Sequence, residues 1–252
     1  MMRIRFRRSL LMNCVIVRKL TLGAVMALLT TAAQAQLTTF AQFTQSGGTR
    51  PFSFTNAGAA STFALNSPLN VNFVYQVLND YNGNGFAATI PAMMTLTSDA
   101  ASLGQVLGGF RNQPMTNITM TFTANTPVNG KTNLLTIVAN AGGTTSGGSL
   151  FGANNSSTAN FAGSQNGGTG DSVTMTSDFL SFTSTTQRDY SLSLNAATPN
   201  FSLNGNGYLN SFTADGTGTF ASDPAPFSSF VPEPASLVFA LLGGIALHRR
   251  RR

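Results

Sequence analysis

Leu69-Asn70-Val71-Asn72-Phe73-Val74-Tyr75-Gln76-Val77-Leu78 places Leu69, Val71, Phe73, Tyr75 and Val77 at every second position. In an extended chain successive side chains point to opposite sides, so these five share one face. A helix would scatter them around its axis. The period predicts a half-buried β-strand. The pattern recurs on both sides: Thr39–Thr44, Pro51–Thr55, Thr62–Leu65, Ala92–Thr97, Ile118–Ala124, Asn133–Ala139, Ser172–Thr183, Tyr190–Asn195, Phe201–Leu203 and Tyr208–Phe220. Short strands separated by Asn-, Gly- and Ser-rich turns predict an all-β fold, an antiparallel β-sandwich or jelly-roll-like body.

Two stretches break the pattern. Residues 99–110 predict one short helix, with Asp99 as its cap and Gly108-Gly109 as its stop. Residues 141–170, punctuated by Gly142-Gly143, Gly147-Gly148 and Gly167-Gly168, predict a long surface loop or a weak strand with wide turns. Residues 36–220 are the expected β domain, and the Pro-rich residues 221–230 its linker to the C-terminus.

The formal charge of +6 is a property of the two ends. Between residues 36 and 230 only Arg50, Arg111, Lys131 and Arg188 oppose Asp80, Asp99, Asp171, Asp178, Asp189, Asp215 and Asp223, a net −3. No basic patch exists there to neutralise phosphates, which argues against a nucleic-acid partner. That body has no cysteine, histidine, glutamate or tryptophan, and its apolar bulk is mainly phenylalanine. Disulfides and a zinc site are therefore excluded from it. General acid–base chemistry near neutral pH usually recruits the residue types that are missing, so a non-enzymatic protein without a cofactor is expected.

Both ends carry signals. Residues 1–35 read as a helical secretory signal peptide. Arg3, Arg5, Arg7, Arg8, Arg18 and Lys19 form a basic head, Leu20–Ala33 an apolar core, and Ala33-Gln34-Ala35 a small-x-small site cleaved before Gln36. Translation from Met12 would shorten the head and leave Arg18-Lys19 as its charge. Cys14 precedes the apolar core and is lost with the leader. A secretion translocase and a signal peptidase are the partners such a leader requires.

At the other end Pro232-Glu233-Pro234 is followed by an apolar run, Ala235–Leu247, then His248 and Arg249, Arg250, Arg251 and Arg252. The prolines break regular structure. The run predicts a short hydrophobic helix of roughly 20 Å, below the ~30 Å hydrocarbon core of a bilayer. The arginines resist transfer and stay cytoplasmic. These residues, 231–252, resemble the PEP-CTERM sorting signal. The resemblance implies that Pro232, Glu233, Pro234 and the arginine cluster are recognition residues for exosortase, a membrane-embedded protease-transpeptidase. Exosortase would remove the tail and pass the protein to the cell surface or an extracellular polysaccharide matrix. The chain would thus be exported across the inner membrane, transiently anchored by its C-terminus, and then released or attached outside.

Three further patterns bear on function. Asp80, Asn82 and Asn84, with Gly85 at the sixth position, match the first half of a calcium loop, but Pro91 stands where the bidentate Glu belongs. An Asn-Gly hairpin explains them as well, and Asn204-Gly205-Asn206-Gly207 repeats the turn pattern. Asp171, Asp178 and Asp189 are candidates for a cation cluster at loop ends. Tyr75, Tyr81, Tyr190 and Tyr208 are the candidate platforms for the alternative function, an extracellular carbohydrate-binding or adhesin module.

Overall fold

The computed structural model describes residues 37–77, 89–141, 147–165 and 171–229. All belong to the second of the two units into which the chain divides, Gln36–Arg252; the first, Met1–Ala35, lies outside them. The described residues are almost entirely β, with no helix. In chain order the strands are β1 (Thr38–Gln45), β2 (Phe52–Thr55), β3 (Thr62–Leu65), β4 (Leu69–Tyr75), β5 (Ile90–Ala100), β6 (Gln105–Leu107), β7 (Phe110–Val128) and β8 (Lys131–Ala141). There follow β9 (Gly148–Ala153), β10 (Ala159–Gln165), β11 (Asp171–Thr176), β12 (Leu180–Ser181), β13 (Gln187–Thr198), β14 (Phe212–Asp223) and β15 (Phe227–Ser228).

Every ladder between these strands is antiparallel, and the main one closes on itself. β14 pairs β2, β2 pairs β3, β3 pairs β5 and β5 pairs β7. β7 pairs β9, β9 pairs β10, β10 pairs β13, and β13 returns to β14. Closure removes the free edges along this ring, the usual hazard of a large sheet. Beyond one end of the ring β1 takes over the edge of β14 from β2, and β4 takes over the edge of β5 from β3. β1 and β4 pair with each other, while β8 and then β11 extend from β7.

Alternation within each strand explains the core. In β4 the pattern buries Leu69, Val71, Phe73 and Tyr75, and in β5 Ile90, Ala92, Met94 and Leu96. Phe43, Phe73, Phe122 and Phe220 come from four strands and meet at ring-centroid separations of 5.1 to 6.4 Å. A second group, Phe52, Phe54, Phe63, Phe161 and Phe212, fills the other end of the interior. Aromatic rings bury much area with few rotors, so these phenylalanines fill the interior between the strands.

Three expectations are corrected. Residues 99–110 form no helix: β5 runs to Ala100, then β6 turns back at Gly108-Gly109 into β7. Asp99 is a ladder residue between Thr62 and Thr116, and its Oδ2 accepts from Asn117 Nδ2 at 2.9 Å. Cross-strand pairing outweighs the weak local helix signal. The glycine-rich stretch 141–170 contains β9 and β10, two members of the closed ring, with Leu150 and Phe161 buried. Here glycine marks close packing, because a Cβ on Gly148 or Gly163 would strike Tyr190. Finally, the stretch read as a linker is partly strand: β14 continues to Asp223, and β15 pairs β12. Asn204-Gly205-Asn206-Gly207 is the turn its sequence suggests, closed by a Leu203–Leu209 bridge, with Asn204 Oδ1 accepting from the amides of Asn206 and Tyr208.

Candidate functional site

The sorting residues Pro232, Glu233, Pro234 and Arg249–Arg252 lie outside the described residues, as do the cleavage positions Ala33, Ala35 and Gln36, the loop residues Asp80, Asn82 and Asn84, and Tyr81. What the structure does place is the body that those signals would deliver, and the point where the tail leaves it.

That point is built around Asp178, just after β11. Its Oδ2 accepts from the amides of Thr132 and Asn133, at 3.2 and 2.9 Å. Its carbonyl accepts from Lys131 Nζ and from Ser229 Oγ, both at 3.0 Å, and Ser229 N donates to Phe179 O at 3.0 Å. Asp178 thus ties the last described residue to the β8 edge. Thr38, where β1 starts, pairs Ser222 near the end of β14. Tyr75, three strand partners along, donates to Leu134 O at 2.5 Å. The chain therefore enters and leaves the body at one end. Among the described residues no group of three or more metal-ligating side chains forms.

Two of the four candidate platforms are inside the body: Tyr75 and Tyr190 are 4% and 1% exposed. Burial pushes the Tyr75 phenol above its ordinary pKa; a hydrogen bond with Ser177 opposes this and the charge of Asp178 adds to it. Tyr190 donates to Gly147 O at 3.0 Å. Both hydroxyls close internal contacts, and Tyr208 is half-buried.

Arg188 and Asp189 are adjacent on β13 but face different surroundings. The Arg188 guanidinium gives five hydrogen bonds to neutral acceptors: Thr185 Oγ1 and O, Gln165 Oε1, Val173 O and Phe182 O. It borders a cleft of about 400 Å³ lined by Thr174, Ser177 and Thr183. All its donors are spent on the fold, so it is a clamp between β10, β11 and β13. Asp189 Oδ1 is buried without a hydrogen-bond partner, and burial raises its pKa although Ser164 partly offsets this. A native pKa above the unfolded one means that the folded state holds its proton longer. Stability should then decline as pH rises from the ordinary carboxylate range through the raised value, and level off above it. Urea titrations across pH 3–8 should show this decline reduced in Asp189→Asn, with the variant at least as stable as the parent at pH 7. A parent-like pH profile in the variant would refute the assignment.

The most exposed apolar group lies at the other end of the body. Leu103, Val106, Leu107 and Phe110 are 55%, 62%, 51% and 47% exposed. They surround the β6–β7 hairpin. Leu107 pairs Phe110 across Gly108-Gly109, and only Gly108 of the two has positive φ, +61°, as a II′ turn requires. Phe110 stacks on Phe151 of β9 at 5.1 Å. Asn112 Nδ2 donates to Gln105 Oε1 at 3.2 Å on the same face, and Gly104 N donates to Gly207 O at 2.7 Å at the base. β7 itself measures the separation of the two ends. Phe110 begins it, and Thr123, paired with Asn133, is the β7 residue level with Asp178. At ~3.3 Å per residue over that span, the hairpin lies roughly 40 Å from the exit of the tail.

This chain matches no protein-family model, no curated protein and no solved structure.

The helix expected over residues 99–110 hides this hairpin in the sequence. Its signal was present: Gly-Gly between Val106-Leu107 and Phe110 is a two-residue hairpin pattern. Among the described residues no helix is long and apolar enough to cross a membrane.

Proposed function

We propose that this is an exported, non-enzymatic protein of the cell surface or extracellular matrix, delivered by its leader and sorted through its PEP-CTERM tail by an exosortase-type transpeptidase. The observation that carries this reading is the ordered tripartite tail: Pro232-Glu233-Pro234, the thirteen apolar residues Ala235–Leu247, and Arg249–Arg252 at the terminus. The body is consistent with it. Its closed antiparallel sheet is sandwich-like and packed on phenylalanine, and the body has no cysteine to staple it. Its two ends emerge together, so tail processing leaves the sheet untouched. The alternative of an adhesin or carbohydrate-binding module is favoured by one observation, the exposed hairpin; an extracellular polysaccharide is its candidate partner.

Intact-mass measurement of the protein recovered outside the cell tests the sorting reading. The expected species begins at Gln36 and has lost the residues after the Pro-Glu-Pro region. Replacing Arg249–Arg252 with serine should lower the yield of that species. Recovery of the full-length chain alone, associated with cells, would count against processing.

A further inference from the structure

We propose that the β6–β7 hairpin is a homotypic contact, through which a second copy of this chain pairs with β6 edge to edge. The backbone supplies the first argument. In a two-residue hairpin the residues flanking the turn, here Leu107 and Phe110, form the hydrogen-bonded pair, and the next pair, Val106 and Arg111, does not bond across the ladder. The N–H and C=O of Val106 therefore point away from β7. Among the described residues no other strand pairs β6. Natural edges are usually blunted by charge, proline or a covering element; Gln105-Val106-Leu107 has no charge or proline, and all three residues are exposed.

The position of the hairpin decides the occupant. It lies at the end of the body away from the chain's exit, so the membrane next to that exit does not cover it. To reach it, the chain's own apolar run would have to stretch: about 12 fully extended residues beyond Ser229 bridge roughly 40 Å, which spends the linker and the first half of the run. A second copy needs no reach, because an isologous contact uses the same patch twice. Antiparallel pairing of β6 with its mate joins Val106 to Val106 and sets Leu107 of each copy opposite Gln105 of the other.

Area sets the strength. The four exposed side chains present roughly 400 Å², the scale of the largest apolar patch on an ordinary monomer. Two copies would bury about twice that, below the ~1,200 Å² of a standard interface, so the dimer is weak and forms at high local concentration. Geometry sets the arrangement. A two-fold axis normal to the sheet reverses every direction lying in it, so the two tails leave at opposite extremes. If the tail delivers the protein to a surface, as proposed above, the hairpins join copies held on facing surfaces. The contact itself does not depend on that delivery.

Sedimentation velocity on the exported protein tests it. The expected mass rises from monomer near about 1 µM toward dimer near about 1 mM. Val106→Pro removes the outward N–H without touching a ladder bond, and should stay monomeric with unchanged circular dichroism and melting. Val106→Cys should give a disulfide-linked dimer on mild oxidation, at concentrations where Gln76→Cys, an exposed site near the tail exit, does not. A monomer at every concentration, a dimer indifferent to Val106→Pro, or equal cross-linking of the two cysteine variants would each overturn the proposal. Since none of these readouts involves tail removal, they stand or fall apart from the mass measurement.

Discussion

Phe122→Ala should lower the stability of the body by about 3–5 kcal/mol, the range for truncating a fully buried phenylalanine. Phe122 is wholly buried, with its ring 5.1 Å from Phe43, 5.2 Å from Phe73 and 5.3 Å from Phe220. These rings belong to β1, β4, β7 and β14, so the cavity opens where four strands meet. The neighbours are held by ladders on both sides and cannot collapse into it. Aromatic contacts add about 0.5–1.5 kcal/mol each beyond the area they bury. A domain of this size loses about 2–4 °C per kcal/mol, so its melting temperature should fall by roughly 10–15 °C. Phe110→Ala, the exposed phenylalanine of the hairpin, is the comparison and should cost under about 1 kcal/mol. Thermal and urea unfolding of both variants decides the matter. Equal losses would mean that the Phe43–Phe73–Phe122–Phe220 cluster is not the centre of the core.

Gly163→Ala should be the most damaging single methyl in the body. Gly163 faces Tyr190 directly across the β10–β13 ladder. A Cβ there would strike Gly147 O, and would stand 2.5 Å from Tyr190 Oη and 2.6 Å from Tyr190 Cε1. The tyrosine has nowhere to go: it is buried, and its hydroxyl is bonded to Gly147 O. Overpacking of this kind costs about 1–3 kcal/mol, and the upper part of that range is expected here. Gly109→Ala, with open space around its Cβ position and no positive φ, should be neutral or slightly stabilising. Tyr190→Ala costs stability alone but makes room for the alanine at 163. The double variant should therefore be less destabilised than the sum of the two by about 1–2 kcal/mol. Strict additivity in that cycle would show that the two residues do not compete for space.

Reading the candidate sites from sequence worked unevenly, for a physical reason. Tyr75 and Tyr190 were sensible platform candidates because tyrosine is amphipathic, yet each hydroxyl met an internal carbonyl and the ring went inside. Asp178 is a cation candidate by residue type, whereas its carboxylate is used on the amides of Thr132 and Asn133. Partners distant in sequence made both choices. The hairpin at Gly108-Gly109 was legible as a local turn, but its exposure was not. Leu103, Val106, Leu107 and Phe110 are the residues one would place in a core, and only the course of β5 and β7 leaves them outside.

Period-two alternation was enough to establish the all-β class and most strand positions, because it depends on geometry within a strand. The charge balance of the body and its lack of cysteine and histidine are likewise legible in the sequence, being matters of composition. Closure of the sheet could not be read so. It rests on β13 meeting β14 and β7 meeting β9, pairings between segments whose register is set by packing against Tyr190 and the phenylalanine core. The same packing turned a glycine-rich stretch into two central strands: glycine reads locally as flexible, but here its missing side chain makes room for a neighbour's ring.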